Sequence, residues 1–165
     1  MISKFKTMVM VMAGLCVFVC AKDNSLLSVG TVAPGFSLMD QSGTVVTLGD
    51  YKGRKSVVLI FYPGDQTPGC TQQLCEMRDD YSRFETKNAV VFGINPADKK
   101  SHTAFVKKIG LQFPLLIDSN KTAATAYGCN GFMINRTVYI IDTAGVIIFS
   151  RRGKPATSEL LKAIP

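Results

Sequence analysis

The stretch Val57-Val58-Leu59-Ile60-Phe61-Tyr62-Pro63-Gly64-Asp65-Gln66-Thr67-Pro68-Gly69-Cys70-Thr71-Gln72-Gln73-Leu74-Cys75 decides the fold. Its first six residues are continuously apolar with β-branched members, the pattern of a strand buried on both faces of a sheet. Pro63 ends the strand because it has no N–H to donate to a ladder, and residues 64–69 read as a loop. From Cys70 onward Leu74, Met77, Tyr81 and Phe84 recur at threes and fours, which predicts one helix over 70–86 with the cysteine in its opening turn.

Outward from this unit, 36–39 and 45–48 flank the turn Asp40-Gln41-Ser42-Gly43 and predict a small hairpin. A second buried strand is expected at 89–95, a helix at 101–109 closed by Gly110, a short strand at 115–117, a small helix at 121–127 and a loop at 128–135. Residues 137–141 and 146–149 straddle Asp142-Thr143-Ala144-Gly145 as a second hairpin, and a last helix at 158–164 has Thr157 as its expected cap. This order implies an α/β protein with a mixed central sheet flanked by helices and an N-terminal hairpin extension. At 165 residues the chain supports one core, so 22–165 is read as one domain.

Residues 1–6, Met-Ile-Ser-Lys-Phe-Lys, are basic, and an apolar run follows over 8–21. At about 14 residues the run is shorter than the roughly 20 a spanning helix needs, so 1–21 reads as a signal peptide rather than an anchor. Val19 and Ala21 stand at the small-residue positions of a cleavage site, which predicts a mature chain from Lys22 without stable membrane insertion. The expected address is extracytoplasmic, either periplasmic or secreted. A lipid-anchored form on Cys16 or Cys20 is the alternative, disfavoured by the bulk of Leu15 and Val19. The mature chain keeps Cys70, Cys75 and Cys129, an odd number that points to thiol chemistry rather than a disulfide framework.

The 19 Lys plus Arg outnumber 12 Asp plus Glu for a formal charge of +7, but the cations are dispersed. Arg151, Arg152 and Lys154 form the densest run, expected to be a solvated basic face. No aromatic side chains interleave with them, which argues against nucleic-acid binding. His102, the one histidine, follows Ser101 in a polar stretch and is expected to be exposed and non-catalytic. With one histidine and scattered sulfurs, neither a metal site nor a cofactor is expected. Cys129 reads as a small buried hydrophobe, with an alternative resolving thiol or a ligand as lesser readings.

A cysteine in the first turn of a helix faces unpaired N–H groups and the positive end of the helix dipole, which favours thiolate. Thr67 can bring a hydroxyl to the same pocket, and Pro63 can wall the sulfur from water. Arg136, just before a core strand, is the expected source of fixed positive charge. Donors gathered around a thiolate suit attack on an O–O bond, because the leaving oxygen becomes negative. Cys75 lies five residues along the same helix, about 7.5 Å of rise, beyond the roughly 7 Å Cα limit of a disulfide. Joining the two sulfurs therefore requires the helix to unwind.

The string PGDQTPGC, with Pro63, Thr67 and Cys70 at spacings of four and three, resembles the peroxidatic motif of the peroxiredoxins. It is similar in particular to the bacterioferritin-comigratory, or peroxiredoxin Q, subfamily, in which a resolving cysteine sits five residues on. Ala33-Pro34, Met77-Arg78-Asp79 and Arg136-Thr137 extend the resemblance over 29–164. It implies a thioredoxin-like fold, reduction of hydrogen peroxide and organic hydroperoxides, and recycling by a thioredoxin-like dithiol reductant. It also implies peroxide activation by Pro63, Thr67, Cys70 and Arg136, and resolution by Cys75 as an intramolecular disulfide. A monomer is expected, with a dimer as the alternative. Two positions depart from the subfamily: Gln73 replaces a usual Glu, removing an acidic partner for an arginine network, and Gly35 replaces a usual Asp or Asn. The competing functions are an extracytoplasmic thiol-disulfide oxidoreductase or redox carrier, and a non-enzymatic secreted binding domain with inert thiols.

Overall fold

The computed structural model describes residues 24–165, so the signal-peptide reading lies outside the described residues. In chain order the elements are β1 (Ser37–Asp40), β2 (Val45–Thr47), a 3-10 turn (Leu48–Tyr51), β3 (Ser56–Phe61), α1 (Pro68–Asp79), α2 (Tyr81–Thr86) and β4 (Ala89–Asn95). There follow α3 (Lys99–Ile109), β5 (Leu115–Ile117), α4 (Thr122–Ala126), β6 (Thr137–Ile141), β7 (Ile147–Arg152) and α5 (Thr157–Ala163). The seven strands form one mixed sheet in the order β2-β1-β5-β4-β3-β6-β7. Strands β3, β4 and β5 run parallel, while β6, β7 and the β1–β2 hairpin are antiparallel additions at the two sides.

All six residues of β3 are buried, because successive side chains enter different half-cores. Val58, Ile60 and Tyr62 point into a cluster with Leu74 and Met77 of α1, Phe84 of α2, Phe105 of α3 and Leu160 of α5. Val57, Leu59 and Phe61 join Ala123 and Ala124 of α4, Tyr127, Cys129 and Tyr139 on the other face. Each large apolar side chain removed from water in this way contributes roughly 1.5–3 kcal/mol, so the sheet centre is the most firmly held part of the molecule. The cysteine-bearing turn is built directly on it.

Two expectations are corrected. The single helix over 70–86 is two helices: α1 starts earlier, at Pro68, and the chain breaks at Asp80, whose φ of −94° and ψ of 5° leave the helical region. The Asp80 carboxylate accepts from the Thr157 hydroxyl and from Arg83, side-chain bonds at a helix junction that a linear periodicity does not register. Thr157, expected as a cap, is instead the first residue of α5; Ala156 occupies the cap position without a side-chain bond. The basic run is exposed at Arg151 and Lys154 as expected, but it is paired: Arg151 with Glu159, Lys154 with Glu76, and the half-buried Arg152 donates to Thr137 Oγ1 and to the carbonyls of Gly128 and Asn24.

Gly93 of β4 lies between Tyr62 and Leu115, where an added Cβ would meet Leu115 Cδ2 at 2.5 Å and Tyr62 Cε1 at 3.1 Å. Both neighbours are fully buried and have nowhere to retreat. Gly93→Ala is expected to destabilise the fold by about 1–3 kcal/mol through overpacking, read by urea denaturation.

Candidate active site

Pro68 opens α1 at a position where its missing N–H is no loss, and the Thr71 amide makes the first helical bond, to the Thr67 carbonyl at 2.9 Å. The Gly69 and Cys70 amides precede that bond and belong to the first-turn donors without helical partners. Cys70 is the third helical residue and is fully buried.

Arg136 enters from the opposite side of the sequence. Its carbonyl is held by the Gly153 amide at 2.9 Å, at the start of β6 beside the end of β7, and the half-buried side chain reaches over the first turn of α1. Nη2 donates to Cys70 Sγ at 3.0 Å, and Nη1 donates to Gln73 Oε1. A planar guanidinium thus spans sulfur and amide one helical turn apart. Gln73 is buried and neutral, so it fixes Arg136 without competing for its charge as a carboxylate would. That leaves the cation facing the sulfur, where it can stabilise a developing oxyanion.

The other expected residues are placed less directly. The Thr67 hydroxyl donates to the Gly64 carbonyl at 3.5 Å, and its side chain is exposed at the cap of α1. Pro63 is half-buried at the end of β3. Cys75 is half-buried farther along α1, and Cys70, Cys75 and Cys129 are all free thiols. Cys129 is fully buried, donates to the Tyr127 carbonyl at 3.3 Å, and has its thiol pKa raised by burial, with Thr137 and Arg152 opposing. This is the small buried side chain that the sequence suggested.

His102 corrects an expectation. It is buried, not exposed, and its Nδ1 donates to Asp65 Oδ2 at 2.8 Å. Asp65 Oδ2 also accepts from Ser101 Oγ at 2.7 Å, while Oδ1 accepts from Tyr62 Oη at 2.8 Å and Asn95 Nδ2 at 2.9 Å. Burial alone would raise the Asp65 pKa, but the bonds from His102 and Ser101 outweigh it and bring the value from 3.8 to about 2. Tyr62 is pushed well above its ordinary value by burial and by the adjacent Asp65 and Cys70, so it stays protonated and donates. Sequence reasoning missed this group. The signal was present, since His102, Phe105, Val106 and Ile109 mark one face of α3 at helical spacing.

Residues 29–150 match the AhpC/TSA family. The chain belongs to that family. It is 41% identical over 154 residues to a chloroplastic peroxiredoxin Q of Triticum aestivum, covering 88% of this chain and 69% of that protein. It is 36% identical over 145 residues to a putative peroxiredoxin of Mycobacterium tuberculosis, covering 82% and 92% of the two. Of a chloroplastic peroxiredoxin Q of Oryza sativa it spans 64%. Among solved structures, peroxidoxin BcpB of Mycobacterium tuberculosis superposes with a TM-score of 0.78 at 28% identity, over 84% of this chain and 96% of that one. Peroxiredoxin Q of Xylella fastidiosa gives 0.77 at 29%, over 84% and 95%. The seven-stranded sheet with its flanking helices is the thioredoxin-like fold of these peroxiredoxins, and the chain is a thiol-dependent peroxidase of the peroxiredoxin Q type.

Two outcomes are expected. Arg136→Met removes the donor to Sγ and leaves Gln73 without its partner, so the second-order rate of Cys70 with hydrogen peroxide should fall by about 10²-fold or more in stopped flow. Because the folded Asp65 pKa is depressed, its contribution is present above about pH 4 and is lost as pH falls through about 2. The stability gap between the native chain and Asp65→Asn, read by urea denaturation, should therefore shrink by roughly 2 kcal/mol between pH 6 and pH 2.

Proposed function

We propose that Cys70 is the peroxidatic and Cys75 the resolving cysteine of this peroxidase, acting on hydrogen peroxide and organic hydroperoxides. The observation that carries this reading is the 3.0 Å bond from Arg136 Nη2 to a fully buried sulfur in the first turn of α1. The Cys70 thiolate attacks the terminal oxygen of the hydroperoxide. The O–O bond breaks, its electron pair leaves with the alkoxide or hydroxide, and a proton from solvent completes the alcohol or water. Sulfur is left as a sulfenic acid. The Cys75 thiol displaces its hydroxyl as water and forms the Cys70–Cys75 disulfide, after α1 has unwound far enough to bring the sulfurs together. A thioredoxin-like dithiol then reduces that disulfide and is itself oxidised. The solved bacterioferritin comigratory protein of Xanthomonas campestris, 26% identical with a TM-score of 0.71, is described by its alkyl peroxide reduction activity, which supports including organic hydroperoxides.

A thiol-disulfide oxidoreductase would want its second cysteine three residues after the first. Gln73 fills that position and is buried against Arg136. An extracytoplasmic address is proposed from the basic and apolar pattern of residues 1–21 alone. Edman sequencing of the protein purified from its own cells should begin at Lys22, and retention of Met1 would contradict export by a cleaved signal.

The cysteine roles are tested by single turnover. Cys70→Ser should consume no peroxide, whereas Cys75→Ser should form one trapped sulfenic acid per chain and then fail to turn over with a dithiol. Peroxide consumption by Cys70→Ser at the native rate would refute the assignment.

A further inference from the structure

The loop ahead of α1 holds a charge that the chemistry at sulfur does not use. Asp65 lies between Pro63 and Thr67, its side chain is 3% exposed, and its carboxylate takes four hydrogen bonds. The donors come from Tyr62 beyond the end of β3, Asn95 at the end of β4, and Ser101 and His102 in the first turns of α3. Being ionised, Asp65 can only accept, so His102 Nδ1 carries its hydrogen. The other ring nitrogen, Nε2, is buried with no hydrogen-bond partner among the described residues. An apolar side chain would fill the same space without an unpaired polar atom. The ring is therefore explained by what Nδ1 does for Asp65.

Immediately downstream the grip disappears. Gln66, Thr67, Pro68 and Gly69 are exposed, and Gln66 has φ of 60°, the left-handed region that non-glycine residues disfavour. Thr67 makes no side-chain cap bond to α1. Tethers resume just past Cys75, where Glu76 pairs with Lys154 at 2.9 Å and Arg78 Nη1 donates to the Ile109 carbonyl. Between these two anchorages Thr67 and Gln72 bond only their near neighbours Gly64 and Glu76, and the side-chain bonds from elsewhere in the fold come from Arg136, to Cys70 and to Gln73.

We propose that Asp65, held by His102, is a positioning residue that acts as the fixed post upstream of Cys70. Unwinding is confined to residues 66–75, and residues 63–65 keep their place through both halves of the catalytic cycle. The proposal rests on the peroxidase reading above, with Cys75 as resolving thiol. It explains why a loop that must release its helix carries a four-bond anchor one residue before the release point: the wall of the peroxide pocket need not be rebuilt at each turnover.

The oxidation step, first order in peroxide, and the resolution step, independent of it, are separable by rapid mixing. His102→Leu and Asp65→Asn should each lower the oxidation rate constant about tenfold or more, since a small misplacement of the pocket is enough, while resolution stays within about twofold. His102→Asn, which keeps a donor near the Nδ1 position, should recover most of the oxidation rate. A folded variant of either position that loses both steps equally, or neither, overturns the post. A second measurement needs no variant: amide hydrogen exchange of the native chain in its reduced and disulfide forms. In the disulfide form protection should be lost over 71–75, where the helical amide bonds begin, and kept at Tyr62 and His102, whose amides bond the Ile94 and Asp98 carbonyls, and loss at those two would overturn the proposal. A native chain that leaves peroxide unconsumed would refute the peroxidase reading itself, and the post with it.

Discussion

The bond from Arg136 Nη2 to Cys70 Sγ joins two parts of the chain 66 residues apart, and the rest of the site is arranged so that it can form. A sulfur in the first turn of a helix already faces unpaired amides, but a helix end alone is a modest and screened source of positive potential. The guanidinium adds a full charge in a place where the sulfur is cut off from bulk water, so the interaction is not diluted by solvent. Gln73 completes the arrangement by holding the other Nη without a negative charge of its own. Orientation and electrostatics are thus supplied by different residues.

That division depends on the sheet. β3 delivers the loop and α1, and β6, its antiparallel neighbour, delivers Arg136, with Phe61 opposite Thr137 in the register. A slip of one residue between β3 and β6 would turn every side chain of one strand to the wrong half-core, so the burial of Val58, Ile60, Leu59 and Phe61 is also what fixes the guanidinium over the sulfur. Stability is concentrated under the site, while the segment that must move lies on top of it. Of residues 66–70 only Cys70 is buried. The molecule can therefore unwind one helical end without disturbing the core that rebuilds it.

Much of this was legible in the sequence, for a physical reason. A strand buried on both faces has to be apolar throughout, and β3, β5 and β6 lie where the apolar runs put them. The placing of Cys70 in the first turn of a helix was legible from the strand, loop and apolar spacing around it, and that of Arg136 from the core strand it precedes. The misreadings share a cause: each depends on a partner distant in sequence. The break at Asp80 is joined to Thr157, and the bonding of Arg152 rests on carbonyls at Gly128 and Asn24. His102 looked exposed because Lys99, Lys100, Ser101 and Thr103 surround it in the chain. In space it faces inward and meets a carboxylate 37 residues earlier.

One sulfur is singled out from the three cysteines of the described residues. Reduced native protein treated with one equivalent of hydrogen peroxide, then alkylated, digested and mapped by mass spectrometry, tests this most directly. The account predicts a Cys70–Cys75 linkage with Cys129 alkylated only after denaturation. Oxidation appearing at Cys129, or peroxide recovered intact beside unmodified Cys70, Cys75 and Cys129, would contradict it.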